Sequence, residues 1–149
     1  MVVPSAAMKY IERRLMKISA KGLYAVKAMI YIARHATDEP VSLSEIASEE
    51  NISRKYLEQI MHTLSSAQLV VATRGKLGGY RLALPPSEIS MFMILKATEN
   101  SLSPGSSNEE QHICSVSIDP DLWKGLGDAI RSYLSDITLA TILKDTQAQ

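Results

Sequence analysis

The chain has 149 residues, 46% of them hydrophobic and only 5% aromatic, and its 16 Lys+Arg are balanced by 16 Asp+Glu. That length suits one domain or a little more. No apolar run approaches the roughly 20 residues that cross a bilayer, and no apolar h-region follows the cationic N-terminus, so membrane insertion and secretion are not expected and the cytoplasm is the default location. One cysteine, Cys114, excludes an intrachain disulfide and a zinc site of several thiolates.

Residues 1–15 show no clean period and read as an N-terminal extension. Ser19 is placed to cap a helix running to about Ala36, with Val26, Met29, Ile30 and Ala33 as its apolar stripe and Lys21, Lys27 and Arg34 off it. TDEP breaks that helix. Ser42-Leu-Ser-Glu45 is a capping box, in which the Ser42 hydroxyl takes the Glu45 amide and the Glu45 side chain returns to the Ser42 amide. It opens a short helix over about Leu43 to Glu50 that buries Leu43, Ile46 and Ala47. Asn51 suits a left-handed exit, Ile52 can be buried in the turn, and Ser53 can cap the next helix. That helix, RKYLEQIMHTLSSA, has Leu57, Ile60, Met61 and Leu64 on one face. Arg54, Lys55, Glu58, Gln59 and His62 lie on the other, with Tyr56 near the start. Two helices joined by a tight turn of about three residues have helix-turn-helix spacing, which helical hairpins that ignore DNA also use.

LVVAT and YRLAL then read as two strands around the tip RGKLGG, and Pro85-Pro86 stops the second. A hairpin directly after a helix-turn-helix is a wing. Its glycines permit positive φ and close approach to a surface, and Arg74 and Lys76 bring charge where a DNA backbone or minor groove would lie. An ordinary exposed hairpin with solubilising charges is the bland alternative. Ser90 can cap a helix to about Glu99, and residues 100–118 read as a polar loop. Asp119-Pro120 supplies an N-cap and a first-turn proline. The helix after it carries Leu122, Leu126, Ile130, Tyr133, Leu134 and Ile137 on one stripe, suited to a second subunit or, more blandly, to its own domain. A last short helix is expected around Leu139–Leu143.

The expected fold is thus mainly α with a small β-hairpin: a winged helix-turn-helix over residues 16–86, then a loop and long C-terminal dimerisation helix over 87–149. Charge divides along the same line. Residues 1–85 hold 12 Lys+Arg against 7 Asp+Glu, and residues 86–149 hold 4 against 9. A basic first half suggests an anionic partner there; a random surface imbalance is the alternative.

MKISAKGLYAVKAMIYIA, VSLSEIASEENISRKYLEQIMHTLSSAQLV and RGKLGGYRLALPPSEIS together resemble the IscR/NsrR/CymR-type winged-helix transcription regulators, from Met16 to the last helix. The resemblance implies a homodimer on a partly palindromic operator in double-stranded DNA, with the recognition helix in the major groove and the wing at the minor groove. It carries DNA contact to Lys55, Tyr56, Glu58 and Gln59 on the helix and to Arg74, Gly75 and Lys76 on the wing. Lys21 and Tyr24 match positions that help hold the backbone. Arg54 joins them as a cation on the same face. The chemistry agrees: Gln pairs bidentately with adenine, Glu accepts from cytosine N4, and Lys and Arg meet guanine or phosphate. The wing departs from the commoner RGPGGGY, with Lys76 and Leu77 in place of proline and glycine, which adds charge and stiffens the tip.

Many members of that family hold an iron–sulfur cluster on three cysteines in the loop after the fourth helix. Here that loop has Cys114 alone, and Cys114 with His112 does not supply the ligands a cluster needs. The chain therefore resembles the cluster-free members that answer to a metabolic enzyme or a small molecule, with no cofactor. Cys114 reads as an incidental loop thiol, a redox-sensing thiol or a metal ligand with His112. A winged-helix interaction module that does not read DNA is the alternative function; the cationic, rather than apolar, third helix and wing weigh against it. An enzyme is not expected, because no nucleophile–base pair, phosphate-binding fingerprint or metal motif is present.

Overall fold

The computed structural model describes residues 18–36, 38–99, 102 and 120–147. They form α1 (Ala20–His35), α2 (Leu43–Glu49), α3 (Arg54–Ser66), β1 (Val70–Thr73), β2 (Gly79–Leu82), α4 (Met91–Thr98), α5 (Pro120–Asp136) and α6 (Leu139–Gln147). This is a mainly helical fold with one antiparallel hairpin, β1 against β2, in the register Val70–Leu82 to Thr73–Gly79.

Helix starts follow the expected caps. The hydroxyls of Ser19, Ser42, Ser53 and Ser90 accept from Gly22, Glu45, Tyr56 and Met93 amides and so satisfy donors that the first helical turn leaves open. One cap differs from expectation. Among the described residues only one arm of the Ser42–Glu45 box forms, because the Glu45 carboxylate is taken by the Tyr31 phenol, 3.0 Å away, rather than by the Ser42 amide. That bond ties α1 to α2. Burial, then the Glu45 hydrogen bond and the nearby Glu45, Glu49 and Glu50 charges, push the Tyr31 phenol up to about 12.

The buried face of α1 also differs. Gly22, Ala25, Ala28, Met29 and Ile32 are its buried residues, one position round from the expected Val26, Met29, Ile30, Ala33 stripe. Val26, Ile30 and Ala33 are half-buried against the same core. The helix is central, touched by α2, α3, α4, α6 and β2, so its covered arc is too wide for a single stripe to describe. On α3, by contrast, Leu57, Ile60, Met61 and Leu64 are fully buried as the spacing predicts. Leu43 of α2 is only half-buried, while Ile46 and Ala47 are in the core.

Asn51 takes the left-handed exit at φ 53° and Ile52 is buried in the turn beneath it. A second left-handed residue, Gln68 at φ 59°, turns α3 into β1 and carried no sequence signal that distinguished it. β2 ends at Leu82, short of the expected YRLAL strand; the chain bends at Ala83 and Leu84 before the prolines arrive.

The core continues past Pro86. Ile89 and Ile94, and Leu139 from α6, share one hydrophobic cluster with α1, α3 and β1. The chain after α5 is laced back by the Met91 amide to the Ile137 carbonyl (2.8 Å), the Leu139 amide to Ile89 (2.9 Å) and the Ala140 amide to Pro86 (3.1 Å). α6 is longer than expected, reaching Gln147. α5 packs on α4, yet Leu122 is 61%, Leu126 38% and Tyr133 68% exposed, with Ile130, Leu134 and Ile137 partly covered. The expected Asp119 cap, the loop with His112 and Cys114, and residues 1–15 lie outside the described residues. No described helix is long and apolar enough to cross a membrane.

Candidate nucleic-acid interface

The site begins with α3. Because its apolar positions recur every three to four residues, burying them turns Arg54, Lys55, Glu58, Gln59 and His62 outward, and all five are exposed. Among the described residues no hydrogen bond or ion pair engages the side chains of Arg54, Lys55, Glu58 or Gln59. Donors and acceptors with no internal partner can meet a base edge or phosphate without first breaking a protein contact.

Tyr56 is different. It is half-buried and meets Tyr24 of α1 edge-to-face, ring centres 5.9 Å apart. The pair fixes the start of α1 against the start of α3, so Lys21, one turn before Tyr24, sits on an element locked to α3. Lys27, another turn on, lies 3.9 Å from Glu50 at the end of α2.

The N-terminus of α1 is held from a second direction, which sequence reading missed. The Ser19 amide and hydroxyl both donate to Glu99 Oε1, at 3.0 and 2.7 Å, and Ser19 Oγ in turn accepts from the Gly22 amide at 3.1 Å. A Cβ on Gly22 would meet that carboxylate, so a side chain there would displace Glu99 from the clasp. Glu99 is the C-cap of α4, 80 residues away, so only the tertiary fold reveals the clasp. Hydrogen bonds to a charged group contribute roughly 1.5–3 kcal/mol when buried, and Glu99 is only half-buried. Glu99→Ala is expected to cost about 1–2 kcal/mol, read as a lower midpoint in urea denaturation, with Glu99→Gln retaining most of it because its carbonyl still accepts. An unchanged midpoint for Glu99→Ala would show that the clasp contributes nothing.

The wing is built from three glycines with two different duties. Gly75 has φ 115°, a left-handed conformation that other residues resist. Gly78 and Gly79 instead allow close approach: a Cβ would strike the Thr73 carbonyl at the first and the Val41 carbonyl at the second. The Gly78 amide donates to the Gly75 carbonyl at 3.0 Å. Lys76 and Leu77 are therefore the central residues of a closed four-residue turn, and Arg74, Lys76 and Leu77 are all exposed.

A residue outside the predicted set positions this wing. Val41, immediately before the α2 cap, pairs with Tyr80: Val41 N–H to Tyr80 O at 3.0 Å and Tyr80 N–H to Val41 O at 2.8 Å. The Arg81 guanidinium also donates to the Asp38 carbonyl. The hairpin is thus bonded to the entry of the helix-turn-helix rather than free beside it. The one available signal was an apolar β-branched residue directly preceding a cap.

A helix-turn-helix followed by a hairpin bonded to its entry defines a winged-helix protein. Residues 18–145 match the family model Rrf2, described as an iron-dependent transcriptional regulator, and the chain belongs to that family. It is 37% identical over 136 residues to the HTH-type transcriptional regulator IscR of Aliivibrio salmonicida, covering 90% of this chain and 81% of that protein. Among solved structures it is similar to CymR of B. subtilis, the global cysteine regulator (TM-score 0.72, 34% identity, 86% of this chain and 96% of that one). IscR of T. potens is comparable (TM-score 0.71, 38% identity, 90% and 91%). The chain is a DNA-binding transcription regulator of the helix-turn-helix type, not an enzyme.

The family description raises iron, and the donor set answers it. Among the described residues no group of three or more His, Cys, Asp or Glu is arranged to hold a metal. The whole sequence contains one cysteine. A cluster held by three cysteines of one chain does not fit a sequence with one cysteine.

Proposed function

We propose that the protein is a cytoplasmic homodimeric repressor that reads a partly palindromic operator. Residues 16–86 read the DNA, with α3 in the major groove and the wing at the minor groove; residues 87–149 pair the subunits and receive the signal. The observation that carries this reading is the set of unengaged polar and cationic side chains on α3, held in one frame with a cationic wing by the Tyr24–Tyr56 contact and the Val41–Tyr80 bonds. Lys55, Glu58 and Gln59 contact bases, Arg54, Lys21 and Tyr24 contact backbone, and Arg74, Gly75 and Lys76 contact the backbone or minor groove. Tyr56, by packing on Tyr24, orients the helix as well as touching the backbone.

Selection of bound duplexes from a randomised library tests the assignment. The parent is expected to yield a two-fold symmetric site. Glu58→Ala and Gln59→Ala are expected to flatten the preference at individual positions, each base contact being worth roughly 1–3 kcal/mol of discrimination, with little change in binding to shuffled DNA. Arg74→Ala is expected to weaken binding to all sequences alike. Recovery of no common sequence by the parent would favour the non-reading interaction module, and equal losses on selected and shuffled duplexes in all three variants would remove the individual roles.

The signal is a metabolite, a partner protein such as a metabolic enzyme, or oxidation of Cys114, acting on the relative placement of the two winged helices. Such an effector shifts that equilibrium only by binding one arrangement better than the other. Cys114→Ser separates these: loss of a peroxide response present in the parent assigns the signal to the thiol, and no peroxide response in either protein assigns it to a metabolite or partner.

A further inference from the structure

Leu77 is the most exposed large hydrophobic residue described, 79% accessible, and it stands at the wing tip. A solitary exposed leucine is ordinary on a protein surface. This one differs in its setting. It shares the apex of a closed turn with Lys76, the Gly78-to-Gly75 hydrogen bond at 3.0 Å holds that turn, and Arg74 and Gly75 lie at its base. Neither Lys76 nor Leu77 takes a positive φ, so the turn is held without strain at either residue. The apex therefore presents one apolar side chain just after two cations, on a hairpin anchored close to its turn by Val41–Tyr80.

The two cations that precede the leucine, Arg74 and Lys76, direct the tip toward a polyanion rather than an apolar partner. On duplex DNA, leucine has nothing to donate or accept and cannot read a base edge. Its favourable act in the minor groove is to leave water by entering between base pairs, which unstacks a step and kinks the duplex toward the major groove. Pyrimidine–purine steps yield to this most readily.

We propose that Leu77 is a minor-groove wedge and a specificity-determining residue, making the protein select a deformable TA or CA/TG step beneath each wing and bend its operator. The proposal rests on the function proposed above and adds a source of specificity separate from α3: shape and deformability at positions that no side chain reads by hydrogen bonding.

The test compares the parent, Leu77→Ala and Leu77→Met on duplexes selected from a randomised library by the parent, and on the same duplexes with the flexible step beneath the wing replaced by a stiff A-tract. End-to-end energy transfer reports bending and equilibrium titration reports affinity. Leu77→Ala is expected to lose about five- to tenfold in affinity on the flexible-step duplex, to bend it less, and to lose the preference over the A-tract duplex. Leu77→Met keeps the apolar reach and is expected to retain most of all three. Because the side chain is exposed, the thermal midpoint is expected not to change in either variant. A parent that selects a symmetric site while Leu77→Ala matches it in affinity, bend and step preference overturns the wedge alone. A shifted midpoint that accounts for the loss also overturns it, by assigning Leu77 to stability. A parent that selects no sequence overturns the wedge together with the DNA-reading assignment.

Discussion

Leu126→Asp combined with Ile130→Asp is expected to yield monomers or insoluble protein in light scattering, and to weaken operator binding by roughly 10²–10⁴-fold. That range is what linking two half-site contacts in one molecule provides. The motive is the face of α5. Leu122 and Tyr133 remain 61% and 68% exposed on a helix that otherwise leans on α4, so its apolar stripe is only partly used within one chain. Neither Leu126 nor Ile130 belongs to the buried core cluster, so charges there leave the winged helix its own core. Two carboxylates per subunit facing their symmetry mates would be both desolvated and mutually repelled. An unchanged dimer would move the interface away from α5.

The second large effect is on salt. Net charge is zero, so no overall field draws the protein to DNA, and attraction must come from the local patch of Lys21, Arg54, Lys55, Arg74 and Lys76. Each phosphate neutralised contributes about −0.9 to the slope of log K against log salt, and six to ten such contacts in a dimer remove roughly 10³–10⁵ in affinity between about 50 and 200 mM. Arg74→Ala is expected to make that slope shallower, since a cation on each wing is lost. A binding constant indifferent to salt in that range would mean that phosphates are not the partners of these side chains.

Helix α3 was legible because burial of every third or fourth residue is a local property: Leu57, Ile60, Met61 and Leu64 define its inner face without reference to anything else. Caps at Ser19, Ser53 and Ser90 and the left-handed Asn51 were legible for the same reason. What escaped was set by neighbours. α1 is enclosed on too many sides for one stripe, and Glu45 chose a phenol from another helix over its own cap. The Glu99 clasp and the Val41–Tyr80 pairing join residues 80 and 39 positions apart, and nothing in either segment announces the other. α6 was underestimated because its last turn, from Lys144 to Thr146, is polar and exposed and carries no apolar period to extend the helix past Leu143.

The central claim is that α3 reads DNA in the major groove while the wing lies in the adjoining minor groove, twice, about a two-fold axis. Hydroxyl-radical footprinting of the parent on a library-selected duplex tests it most directly, because protection reports the backbone and minor groove position by position. The expected result is a symmetric pattern: two protected half-sites separated by one helical turn or a multiple of it, each with a flanking minor-groove segment that loses protection in Arg74→Ala. A single unsymmetrical footprint, or uniform protection that Arg74→Ala leaves unaltered, would contradict it.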